Sequence, residues 1–562
     1  MRKTASILLL ILACMAASVR VPAFSGSQGG LPEEQSEAMM AGETEYSEEP
    51  VEEGLLRIGL SEPVPTMDIH KTSSEYMIPL NIYERLFEIE VDADGDTWLV
   101  SSLAENFTVS EDGKTYSFEL RDNAFFSDGT KVKASDVAFT FARMLSLPGS
   151  VQTDFADIIS GAAKTMMGAT EVPEGIRVLD DSHLQITLSE PFEGYIYQLA
   201  SPSCSILSES FVKEAGDDYG SCAEMTMGSG PYRVTAFSEN EISLEKNPYY
   251  QCRENETLSA SKVKLQVLPP ALMYQKFQEG GLDILDTNMI NPDAVNDLVH
   301  MDQYADRIVY RNSVTIQYLM MNMQSPLLKD IRIRKAIQMA IDRKGILDEL
   351  YGGAGSLIDG IYPKGLFGFC EENQGWLSYD PEEAKRLIAE VPDAGKIPVE
   401  LAANYQNSAR RLTILEMIQQ DLNDVGLRAD IVSYDGDTMM YLRRNSSLML
   451  YTGEWSADFN DPDNFIYTLF GSRGKTYSRS SNFQVPSVFA RIQKARGIQD
   501  REQRMQEYAD LERILVQENA VWVPLFSTEH LFVLGDRVES FSPFWAGWSS
   551  MYFRDVVLKE GK

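Results

Sequence analysis

From Leu55 to the C-terminus the hydrophobic pattern repeatedly changes period, and few architectures accommodate that. The first segment, LLRIGL at 55–60, reads as a strand. In KVKLQVLP at 262–269, Val263, Leu265 and Val267 alternate onto one face, as in a half-buried strand. Segments 428–434, 448–452 and 522–526 read as further strands. The helical period predicts a helix over 331–351, with Ile333, Ile337 and Ile341 on one stripe. Asp330 is placed to cap it and Gly352-Gly353 to stop it. Leu412, Leu415, Ile418 and Leu422 predict a second helix over 410–425, closed by Gly426. Met505, Tyr508, Leu511 and Leu515 predict a third over 501–517. Strands and helices alternating in this way call for mixed α/β lobes, and 562 residues are ample for two or more.

The N-terminal end does not share this pattern. Arg2 and Lys3 followed by the apolar run Ile7 to Ala13 have the form of an export signal over 1–23, too short for a transmembrane span. Ile11-Leu12-Ala13-Cys14 resembles a bacterial lipobox, which would make Cys14 the lipidated first residue. Cleavage after Val21-Pro22-Ala23 is the competing reading, and lipidation is favoured. Residues 24–54 follow, with nine Glu between Glu33 and Glu53 and no Lys or Arg in that interval. Such a segment buries too little apolar surface to offset its ordering entropy, so a disordered acidic tether is expected.

A formal charge of -34 excludes polyphosphate partners, which require a basic surface; no nucleic acid is expected. Cys204, Cys222, Cys252 and Cys370 form no CxxC pair, so they make no recognisable metal site. In an oxidising compartment they could pair, with Cys204 to Cys222 the local option, or remain four free thiols. The four histidines are scattered, with no HExxH, and no GxSxG elbow occurs. Neither catalysis, a metal nor a cofactor is expected.

Three stretches are turn signals. Phe126-Ser127-Asp128-Gly129-Thr130 is a tight turn, followed by a helix capped within Ala134 to Val137 and running through Arg143. Gly228-Ser229-Gly230-Pro231-Tyr232 is a glycine-rich bend entering a strand; it lacks the Gly-Lys-Ser/Thr of a phosphate loop. Asp461-Pro462 reads as a helix cap plus first-turn proline.

Four blocks in fixed order then carry a resemblance: LRDNAFFSDGTKVKASDVAFTFARML (120–145), GSGPYRVTAFSENEISLEKNPYY (228–250), YLMMNMQSPLLKDIRIRKAIQMAIDRKGILDEL (318–350) and WSADFNDPDNFIYTLF (455–470). Together they resemble the family 5 extracytoplasmic solute-binding proteins, the oligopeptide and dipeptide receptors of ABC importers. The resemblance implies an α/β, two-lobed periplasmic-binding-protein-like fold (type II, cluster C) with an extra inserted subdomain. Lobe I would comprise 55–99, 208–315 and 527–562, the inserted subdomain 100–207, and lobe II 316–526. Two crossings between lobes would then form a hinge.

The resemblance further implies that Asp458 holds a peptide α-ammonium, with Trp455 as an apolar wall and Arg443 meeting a ligand carboxylate. Main-chain groups near Ser456, Thr72 and Ser73 would bind ligand backbone, as in strand addition. Ile69, Arg85, Ser73 and Thr452 depart from the family pattern. The implied partners are a short peptide, an importer permease with its ATPase, and the membrane through a lipid anchor, for a monomer outside the cytoplasm. The alternatives are a same-family receptor for a metal chelate or oligosaccharide, and a surface peptide sensor or chaperone-like protein without a transport role.

Overall fold

A computed structural model describes residues 52–72, 76–92, 95–252, 256–404 and 409–560. The export signal, Cys14, all but the last residues of the acidic tether, and Ser73 lie outside these residues.

A twelve-stranded mixed sheet organises the chain. Its central member is the long strand Trp522–Leu534, which belongs to both halves of the molecule. At one end, Trp522, Val523, Pro524 and Phe526 pair with the strand Thr315–Met321. Beyond it lie Leu450–Ser456, Pro398–Asn404 and Arg428–Tyr434. At its other end, Phe532 to Leu534 pair with Ile284–Asp286, and beyond that lie Leu55–Leu60, Lys262–Val267, Glu241–Lys246 and Tyr232–Phe237. One continuous backbone thus runs through two lobes, and the turn between Ile308–Asn312 and Thr315–Met321 passes beside it.

A separate four-stranded antiparallel sheet is built from Ala104–Val109, Thr115–Leu120, His183–Thr187 and Ile176–Val178. The helix Ala134–Ser146 packs on it, burying Val137, Phe141 and Leu145 against Phe118, Leu184 and Ile186. The same apolar cluster continues through Phe192, edge-to-face with Phe459 at 6.2 Å, into the helices Asp463–Phe470 and Pro486–Arg496. The small sheet is therefore docked against the second lobe.

Several expectations hold with altered boundaries. The strand expected at 522–526 continues to Leu534, and the one at 448–452 is displaced to Leu450–Ser456. The single helix over 331–351 is two, Ile331–Ala340 and Arg343–Tyr351. Asp330 caps the first as expected. Asp342 interrupts the ladder, because its carboxylate accepts from the Gly345 amide and starts a new helix. The helix expected over 501–517 ends at Arg513 and widens over Ile514–Glu518, where the Asn519 amide reaches back to the Ile514 carbonyl. All four cysteines from Cys204 onward are free thiols, so the Cys204–Cys222 pairing is not formed.

The glycine-rich bend has a steric cause. A Cβ on Gly228 would sit 1.9 Å from the Ile82 carbonyl oxygen, and one on Gly230 2.6 Å from the Ile82 carbonyl carbon. Two backbones touch there, and the Gly230 amide donates to the Ile82 carbonyl. Gly228→Ala must push these segments apart, and a loss of about 2 kcal/mol or more is expected, measured as a shifted urea midpoint.

Candidate functional site

Two cavities flank the strand Leu450–Ser456. The larger, about 540 Å³, lies where the two halves of the sheet meet. Glu454, Ser456 and Asp458 wall it on one side, and Thr315, Gln317, Thr528 and His530 form its floor. Glu62, Tyr76 and the segment 547–550 close it from the first lobe. The smaller, about 370 Å³, is lined by Gln317, Tyr318, Arg411, Met439, Arg443, Thr452 and Glu454. Gln317 and Glu454 belong to both cavities, so together these form one elongated cleft.

Strand geometry decides which predicted residues face it. Side chains alternate between faces, so Glu454 and Ser456 look into the cleft while Trp455 looks away. Trp455 lines neither cavity: it lies opposite buried Ile316, its indole N–H donates to Asn464 Oδ1 (3.2 Å), and the Arg479 guanidinium covers its ring at 4.9 Å. Half-buried Trp455 thus packs here instead of forming an apolar wall of either cavity. The strand, expected to end at 452, runs on through Trp455.

Ser456 is in the cleft, its hydroxyl 2.7 Å from that of Thr315. Arg443, on the helix Gly436–Arg444, lines the smaller cavity. Among the described residues its guanidinium has no hydrogen bond or ion pair, and its Nε is buried without a partner. Thr72 is buried rather than cleft-lining, and its carbonyl accepts a bond from the Gln152 amide, so that oxygen is already engaged. Gln152 also donates to the Tyr76 hydroxyl (3.2 Å).

Asp458 sits on a rigid platform. The Ala457 amide donates to the Val314 carbonyl. The Asp458 amide donates to Asn464 Oδ1 (3.1 Å), and Asn464 Nδ2 donates to Asp458 Oδ2 (2.9 Å). Asn464 belongs to the helix Asp463–Phe470, whose start is fixed by buried ion pairs. Arg504 grips Asp461 with both terminal nitrogens (2.6 and 2.7 Å), and Asp461 accepts from the Asp463 amide (2.9 Å). Arg496 Nε and the Tyr508 hydroxyl each bind Asp463 at 3.0 Å. Asp461 therefore has a wholly structural role close to the one expected, although the helix begins one residue later. Replacing Arg504 with Met strands a buried carboxylate; a loss of about 3–5 kcal/mol is expected in denaturant unfolding.

Among the described residues Asp458 itself forms no ion pair. Burial pushes its carboxyl up to about 6; the Asn464 bond opposes this, the nearby Asp154 charge adds to it, and Arg479 offsets part. A folded-state value above the unfolded one means that the fold disfavours the carboxylate. That group's stabilising balance is complete below about pH 4 and is lost as pH rises toward 6. Asp458→Asn is expected to raise the melting temperature at pH 7.5, with the gain vanishing near pH 4 in calorimetric scans.

His530 and Trp548 are among the cleft residues that were not anticipated, as are Glu62, Tyr76, Glu454 and Arg411. His530 lies on the shared strand, stacked on Phe532 at 4.5 Å, with Nε2 2.7 Å from Asp286 Oδ1 and Nδ1 2.7 Å from the Gly547 carbonyl. Burial lowers its pKa, but Asp286 and the Gly547 carbonyl together raise it above the ordinary value. Trp548 stacks on Tyr76 at 5.4 Å, and its indole nitrogen is buried without a partner. Both depend on contacts distant in sequence, so no local pattern reveals them.

The family model for bacterial extracellular solute-binding proteins, family 5 middle, matches residues 99–477. The chain is 27% identical over 474 residues to a dipeptide-binding protein of Escherichia coli K12, covering 80% of this chain and 84% of that one. It is 26% identical over 494 residues to heme-binding protein A of Haemophilus influenzae, covering 84% and 86%. The fold superposes with a TM-score of 0.70 on an ABC transporter-associated periplasmic binding protein, DppA of Helicobacter pylori, in complex with the peptide STSA (21% identity, 90% and 98% covered).

Proposed function

We propose that this chain, which belongs to the family 5 bacterial extracellular solute-binding proteins, captures short peptides between its lobes and delivers them to an ABC importer permease. Asp458 carries the reading. It is a carboxylate at the cleft, braced by Asn464 and lacking a cation, and its environment disfavours its charge until one arrives. A peptide α-ammonium supplies that charge in a charge-assisted pair once the cleft excludes water. Arg443, unpartnered in the adjoining cavity, is suited to the ligand carboxylate, and Ser456 and the unsatisfied Trp548 N–H to its polar backbone. The peptide-binding relatives named above support this ligand class. The carboxylates lining the larger cavity disfavour an anionic chelate such as heme. In this reading the protein is a monomeric receptor without catalytic activity. It lies outside the cytoplasm, held to the membrane by a lipid on Cys14, with 24–54 as tether and the lobe boundaries given above.

The reading makes binding proton-linked. Pairing with an ammonium lowers the Asp458 pKa from about 6, so binding expels a proton near that pH and weakens below it. Isothermal titration with trialanine is expected to show affinity about tenfold lower at pH 5 than at pH 7.5. N-acetyl-trialanine is expected not to bind. Asp458→Ala is expected to cost about 2–5 kcal/mol of binding and to flatten the pH profile. Equal affinity for the free and acetylated peptides would remove Asp458 from this role.

A further inference from the structure

The charge distribution along the cleft narrows the ligand class beyond a generic peptide. The larger cavity is lined by three carboxylates, Glu62, Glu454 and Asp458, and no Lys or Arg side chain lines it among the described residues. Its one base, His530, is already held between Asp286 and the Gly547 carbonyl. Glu454 is matched by Arg411 at 2.6 Å. Asp458 and Glu62 remain, one from each lobe, neither with a cationic partner among the described residues. A single α-ammonium neutralises only one of them.

The other end of the cleft has the opposite character: Arg411 and the unpartnered Arg443 line the smaller cavity. Ligand polarity is therefore set along the strand Leu450–Ser456, with cationic groups toward Asp458 and the carboxylate toward Arg443. The stacked rings of Tyr76 and Trp548 present aromatic surface to the cavity that Glu62 also lines. An aromatic face and a carboxylate in one cavity suit the alkyl stem and charged head of a basic side chain.

We infer that the cleft selects short peptides bearing a lysine or arginine near the amino end, with Glu62 and the Tyr76–Trp548 pair receiving the basic side chain. This rests on the peptide reading, with Asp458 taking the α-ammonium. Peptides with an acidic side chain at that place meet Glu62 and Asp458 as like charges and are rejected.

The test is isothermal titration of the mature protein with Lys-Ala-Ala and Ala-Lys-Ala against the same peptides carrying norleucine, which keeps the stem and removes the charge. At least one lysine peptide is expected to bind about five- to tenfold tighter than its norleucine counterpart, with the margin shrinking at high salt. Glu62 is exposed, so Glu62→Gln should fold normally. In that variant the ratio of lysine to norleucine affinity is expected to fall to about twofold or less. Equal binding of lysine and norleucine peptides overturns the basic-ligand inference and leaves peptide capture standing, as does a margin that survives Glu62→Gln. No binding of any of the four peptides overturns both.

Discussion

The pairing of one strand into both halves of the sheet is the constraint on which the rest of the structure depends. Trp522–Leu534 bonds to Thr315–Met321 at one end and to Ile284–Asp286 at the other. The cleft lies beside the stretch between these pairings, where Thr528 and His530 form its floor. Any movement of one lobe against the other must bend this strand and the neighbouring turn before Thr315. Cleft-lining residues from both lobes thus converge on the segment that such a movement would deform.

Charge is handled in two contrasting ways around that floor. Away from the cleft, several buried charges are paired: Arg143 with Asp68, Arg504 with Asp461, Arg496 with Asp463, and both Arg57 and Arg537 with Asp283. These pairs have met their desolvation cost internally and hold loops in one geometry. Facing the cleft, Asp458 and Arg443 have no such partner among the described residues. Unmatched charges of opposite sign at two ends of one cleft suit a dipolar ligand, and closing the lobes would strengthen each pair by excluding water. The cost is a native state less stable than its sequence could make it, which fits a site reserved for binding.

Legibility followed the range of the interactions involved. Leu55–Leu60 and Arg428–Tyr434 were readable from period and flanking turns, because local burial alternation sets them. Asp330 as a cap and Gly352 as a stop were readable for the same reason. The break at Asp342 was hidden because Ile341, already beyond the end of the first helix, continues the stripe of Ile333 and Ile337, while a single side-chain bond to the Gly345 amide restarts the helix. Trp455 was expected in a loop, but the strand runs four residues beyond 452, to Ser456, and strand alternation then turns Trp455 from the cavities that Glu454 and Ser456 line. Asp458 and Arg443 were legible as candidates only through the resemblance of their surroundings to a family; their lack of partners is a property of the folded chain.

What the sequence alone determined is local or compositional: the mixed α/β character, the acidic N-terminal segment, the strongly acidic charge balance, and the turn and cap chemistry marking the family. The tertiary structure decided which side chains share the cleft. Glu62, Tyr76, Asp458, His530 and Trp548 come from segments hundreds of residues apart, and no periodicity couples such distances. Only long-range strand pairing, with lobes meeting on a common strand, brings them to one surface and leaves some of their charges unanswered.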